Sequence, residues 1–290
     1  MESSSSSDED VERRRGLKDI GLAKLSQMWD DSDIEWKTWL IPIFVGINVV
    51  IFLITMFINN CPSHDKEYLN GRSCVSRFLG RFSFEPLHFN PLFGPGPHAL
   101  MKMGAINLPV IAHYHQVWRL ITSIWLHTGI VHLLVNMLSL LFVGIRLEQQ
   151  FGFLRVGIIY LIAGFGGNIV QCLFYSKHIS VGASCALLGL IGAMFAELLT
   201  NWTLYTNKVA AICTLLFMFA INLIITIVPR PHNGGPIGGF VVGFLLGFIV
   251  LPRPHIGWFT RRLPSDISPR SKFTSYQYVL GITSLVLLII

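Results

Sequence analysis

Charge is what this sequence has least of. Only 13% of its 290 residues are Asp, Glu, Lys or Arg, where a soluble domain carries roughly 25%. So low a share, beside 52% hydrophobic residues, excludes an ordinary soluble domain and indicates a protein of the bilayer. Cysteine is scarce too, and the five positions Cys61, Cys74, Cys172, Cys185 and Cys213 match no metal-ligand spacing. Three of them fall in apolar stretches, while Cys61 and Cys74 share a loop and pair only if that loop faces an oxidising lumen. No basic, aromatic-interleaved patch stands out despite a formal charge of +6, so nucleic acid is not an expected partner. Neither an internal repeat nor paired intramembrane acids are present, which argues against a transporter. No metal and no other cofactor is implied. The opening run MESSSSSDEDVERRRGLKD has no apolar segment after it until Trp39. Residues 1–38 are therefore expected to form a disordered, solvated tail and not a cleavable signal peptide.

What the chain has instead is long apolar runs. A hydrocarbon core about 30 Å thick takes roughly 20 residues of helix. Seven candidate stretches are Trp39–Ile58, Ile130–Leu147, Phe153–Tyr175, Gly182–Leu199, Val209–Val228, Pro236–Leu251 and Tyr276–Ile290. The last is short and reaches the end of the chain, as either a truncated span or one that continues. Orientation follows Lys and Arg in the short loops. With the tail cytoplasmic, the inner segments hold Arg146, Arg155, Lys208 and the basic run from Arg253 to Lys272, whereas the short outer loops keep only Lys177 and Arg230. A cytoplasmic amino terminus is expected, and it starts the second, fourth and sixth stretches near the outer leaflet. The outer loop, residues 59–118, is rich in Pro, Gly and aromatics and too long for a simple connector, so it is expected to fold as a cap lying partly in the membrane interface. The organisation read from the sequence is a tail over 1–38, a six-helix core with that loop over 39–252, and a basic linker with a short seventh helix over 253–290.

Polar residues inside a membrane are costly unless they pair or line a wet cavity. The run WLHTGIVHLLVNML, which leads into the second stretch, places His127, His132 and Asn136 at spacings of five and four, with His132 and Asn136 one turn apart on one face. The fourth stretch supplies Ser184 in its first turn. Interhelical hydrogen-bond glue and a catalytic constellation both account for such groups singly; together, a serine with an imidazole and an amide able to donate to an oxyanion resembles a hydrolytic site. Gly239, Gly243 and Gly247 make a small-residue stripe on the sixth stretch, and Cys185, Gly189 and Ala193 make one on the fourth. Two such faces let backbones approach closely, so these two helices are expected to touch.

These pieces resemble the rhomboid family of intramembrane serine proteases: WRLITSIWLHTGIVHLLVNM with its His-x4-His-x3-Asn spacing, RLEQQFG closing the second helix, GAS and a later glycine around Ser184, and IGGFVVGFLLGF in the sixth helix. The seventh helix and the loop run RFLGRFSFEPLHFNPLFGP look like the plant branch of the eukaryotic six-plus-one type. The resemblance implies an all-α polytopic bundle of six core helices plus one. It makes Ser184 the nucleophile position and His132 with Asn136 the oxyanion-stabilising pair. The family pattern of the sixth helix is Ala-His, one residue, then Gly-Gly, with the histidine as general base; here the sequence reads Gly235-Pro236-Ile237-Gly238-Gly239. Proline stands where the base is expected. Cys185 replaces the family's usual glycine after the serine, and GPGPHAL departs from the usual Gly-Pro-Ser.

A serine hydroxyl is a weak nucleophile until a base takes its proton, and Pro236 has no titratable group. The expectation is a catalytically impaired or inactive rhomboid that binds transmembrane clients in the bilayer. The competing reading is an active intramembrane protease that uses His232, four residues earlier, or another base. By family analogy the resemblance implies an endomembrane location such as the Golgi.

Overall fold

The computed structural model describes residues 36–64, 73–174, 179–202, 205, 207–227, 234–252 and 275–290. The expected tail through residue 35, the basic linker over 253–274 and His232 lie outside the described residues.

Among the described residues there are seven long helices: α1 (Leu40–Asn59), α2 (Ile130–Phe151), α3 (Phe153–Phe174), α4 (Ala183–Thr200), α5 (Lys208–Ile227), α6 (Gly235–Val250) and α7 (Ser275–Ile289). Each coincides with an apolar stretch of the sequence to within a few residues, because in an apolar run only a helix satisfies its own backbone hydrogen bonds without water. Gly152, at φ +80, makes the turn from α2 into α3 in a conformation that disfavours a side chain. Pro236 sits in the first turn of α6, where its missing N–H costs nothing. The helices α1 to α5 are long and apolar enough to cross a membrane. The sixth and seventh are shorter, at 16 and 15 residues; a 16-residue helix rises about 24 Å, less than the hydrocarbon thickness.

Helix α4 is the axis of the bundle, buried along almost its whole length, while α5 buries only Leu215, Asn222 and Thr226. The two small-residue stripes meet in register. A methyl group added to Gly239 would overlap the Cys185 carbonyl, and one on Gly243 would overlap the Gly189 carbonyl. One on Gly247 would lie 2.8 Å from the Ala193 carbonyl oxygen. So α4 and α6 run parallel at a separation that only glycine and the smallest side chains permit. The gain is van der Waals contact, since in lipid no hydrophobic force drives helices together.

The long loop is a folded cap. A disulfide joins Cys61 to Cys74, with their Cα atoms 6.0 Å apart. An isolated antiparallel bridge then pairs Val75 with Phe84, and short helices follow at Pro97–Lys102, Leu108–Tyr114 and Arg119–Thr122. Arg119 is buried and holds the cap together, its Nη1 donating to the Met101 carbonyl at 2.8 Å and the Ala105 carbonyl at 3.0 Å.

Candidate functional site

The segment that enters α2 and the first turn of α4 are tied at one end of the bundle. The Gly182 N–H, one residue ahead of α4, donates to the Ser123 carbonyl at 2.8 Å. Behind this contact stands Asn168 of α3, whose Nδ2 donates to the Leu120 carbonyl at 2.7 Å and to Ser123 Oγ at 2.8 Å. Its side chain fills the space a Cβ on Gly182 would need. One helical turn further along α3, Gln171 Oε1 accepts from the Gly235 N–H at 3.0 Å and fixes the start of α6. Asn168 and Gln171 thus set where α4 and α6 begin. The sequence reading missed both, although two amides three residues apart in FGGNIVQCLF were a visible signal.

Ser184, in the first turn of α4, is fully buried, and its Oγ has no hydrogen-bond partner among the described residues. His132 and Asn136 lie one turn apart on the buried face of α2, and both amide atoms of Asn136 also lack a partner among the described residues. Thr128 Oγ1 stands 3.0 Å from His132 Nδ1, a contact whose donor depends on the imidazole tautomer. His127 is buried with its ring centroid 5.4 Å from that of His132. Burial holds the His127 imidazole well below its usual pKa, and a charge on His132 would push it further down. The Trp125 backbone opposes this weakly, without reaching hydrogen-bond geometry with either ring nitrogen. Buried polar atoms are nearly always paired in folded proteins; Ser184, Asn136 and His127 carry atoms without a partner among the described residues, as do Asn48, Asn168 and Asn222.

Pro236 is buried at the start of α6. Its neighbour Gly235 lies against α4, a methyl group there standing 2.9 Å from Cys185 Sγ. The Cys185 side chain is aimed at the junction of α3, α4 and α6, since its Cβ would be 2.8 Å from a methyl group on Gly167. It fills the helix contact. Among the described residues no group of three or more His, Cys, Asp or Glu side chains is gathered as metal ligands would be.

A bundle of apolar helices that buries the Ser184 hydroxyl on α4, with an imidazole and an amide one turn apart on α2, which contacts α4, defines a polytopic helical membrane protein with buried polar groups. The chain belongs to the rhomboid family. Residues 114–253 match the Rhomboid domain. RHOMBOID-like protein 2 of Arabidopsis thaliana is 53% identical over 283 residues, covering 97% of this chain and 88% of that protein. RHOMBOID-like protein 1 of the same plant is 54% identical over 258 residues, 88% of this chain but only 65% of its own length. Inactive RHOMBOID-like protein 8, also of Arabidopsis thaliana, is 40% identical over 223 residues, 77% of this chain and 62% of that protein.

Proposed function

We propose that this protein is a rhomboid impaired as a protease, which binds transmembrane segments of client proteins through its retained fold. The observation that carries the reading is the pairing of a buried Ser184 hydroxyl, without a hydrogen-bond partner among the described residues, with Pro236 where the family pattern calls for a histidine. The rest of the constellation is of the kind hydrolysis needs. With the Thr128 hydroxyl donating to His132 Nδ1, the remaining ring nitrogen carries the proton and joins the Asn136 amide as a donor for an oxyanion. What is missing is proton acceptance. Removing one member of a serine–base unit typically lowers the rate by on the order of 10⁴ to 10⁶. A similar relative whose name marks it as inactive supports the reading by analogy. The amino terminus is cytoplasmic on the Lys and Arg distribution, which puts the cap and the starts of α2, α4 and α6 on the opposite side, in an endomembrane lumen by family analogy.

The test is cleavage of a single-span reporter in proteoliposomes by the unaltered chain, Ser184→Ala, Pro236→His and His232→Ala. Expected are no serine-dependent cleavage by the unaltered chain and a gain of cleavage with Pro236→His that Ser184→Ala abolishes. Cleavage by the unaltered chain that is lost in both Ser184→Ala and His232→Ala would establish the active-protease reading instead.

A further inference from the structure

Gly46 in α1 and Gly281 in α7 are both helical glycines that packing does not require. The glycines of α4 and α6 answer to helix contact, but Gly281, midway along α7, has nothing closer to a would-be methyl group than the Phe248 carbonyl oxygen at 3.4 Å, an ordinary contact. Glycine disfavours a helix interior, so its presence there calls for another reason. Gly281 lines a cavity of about 330 Å³ between the first turn of α3, the end of α6 and α7 from Gln277 to Leu285. Arg155, Phe248, Tyr278, Ile282 and Leu285 also line it.

The lining is graded along the helices. Arg155 and Tyr278 stand in the first turns of α3 and α7, at the end of the bundle, while Ile282 and Leu285 lie one and two turns deeper. Ile282 and Leu285 are also exposed on the outer surface of the bundle, at 63% and 49%, so the groove communicates with the lipid-facing side. The described residues hold three carboxylates. Glu85 is in the cap, Glu148 accepts from the backbone at the start of α1, and Glu197 accepts from Asn201 and Tyr205. None of the three is left to neutralise Arg155.

We propose that this groove seats one anionic glycerophospholipid, with its phosphodiester on Arg155 and the upper part of an acyl chain along Gly281, Ile282 and Leu285. A guanidinium at the mouth of an apolar slot fits a phosphodiester joined to a chain better than it fits a free anion, which would gain nothing from the deeper wall. A zwitterionic lipid would bring its own cation to the same guanidinium and lose part of the attraction. The cavity is too small for a whole lipid, so the rest of the molecule stays in the bilayer. The lipid bridges α7 to α3 and α6.

The full chain, delipidated in detergent micelles, is titrated with phosphatidylinositol and with phosphatidylcholine and read by native mass spectrometry. One phosphatidylinositol per chain is expected, retained in preference to phosphatidylcholine. Arg155→Gln weakens retention about tenfold, the usual weight of a hydrogen bond to a charged group; Arg155→Lys recovers part of it. Gly281→Leu fills the slot without touching the charge and also loses the lipid. Equal retention of the two lipids, retention unaffected by either Arg155→Gln or Gly281→Leu, or no retained lipid on the unaltered chain would each overturn the proposal. Should Arg155→Gln fail to fold, the lipid preference of the unaltered chain and the effect of Gly281→Leu decide it.

Discussion

The Glu148 carboxylate, near the end of α2, caps the start of α1 at Leu40, whose N–H it accepts at 2.8 Å across 108 residues of chain. It also accepts from the Trp39 and Ile41 N–H groups, each at 3.0 Å. Helix α1 has no side-chain cap of its own, so three of the donors that a helix start leaves orphaned are satisfied by one buried acid from another helix. Glu148→Ala leaves all three unsatisfied in a dry site and is expected to cost about 2–4 kcal/mol. Glu148→Gln keeps one acceptor oxygen and costs less. Thermal unfolding in detergent, with hydrogen exchange of the 39–41 amides, gives the order unaltered, Gln, Ala; an unchanged Ala variant would remove the cap from the account of the fold.

Glycines in this bundle divide by what they touch. Gly243→Ala drives a methyl group into the Gly189 carbonyl and is expected to destabilise by about 1–3 kcal/mol as an overpacked contact. Gly46→Ala has nothing within 4 Å and is expected to be neutral or to stabilise α1 by up to about 1 kcal/mol through helix propensity. The melting temperature should fall for Gly243→Ala and hold or rise for Gly46→Ala.

The Cys61–Cys74 disulfide closes a separation of 13 residues in the cap. A loop of that size constrains the unfolded chain by about 3 kcal/mol, so Cys61→Ser should lower the melting temperature of the protein. A maleimide of defined mass, applied to denatured protein from an endomembrane fraction, should label two more cysteines after reduction than before. No increase would place the cap on a reducing side.

His127 is buried in a form that disfavours its charge. Its folded pKa lies below that of an unfolded histidine, about 6.5, so the unfolded chain takes up the proton first. Stability is full above about pH 6.5 and falls as the pH drops toward the folded pKa. His127→Gln should flatten this slope between about pH 7 and 5, read as melting temperature against pH. An unchanged slope would assign the pH dependence to other groups.

Helix existence and the α4–α6 contact were legible from residue order, because both depend on local pattern: apolar length sets a span, and small residues at spacing four set a face. Ser184, His132 and Asn136 stood out for the same reason, as isolated polar side chains among apolar ones. Cys185 was legible only as added bulk; the fold alone shows that bulk taken up between Gly167 and Gly235.

Residue type and spacing along the chain sufficed for the membrane class, for the seven long helices among the described residues and for the proline at position 236. The three-dimensional arrangement was needed to show that Glu148 caps α1, that Asn168 and Gln171 pack at the starts of α4 and α6, and that Cys61 bonds Cys74. Those relationships join groups separated by up to about a hundred residues, and hydrogen-bond geometry acts over a few ångströms of space whatever the distance along the chain.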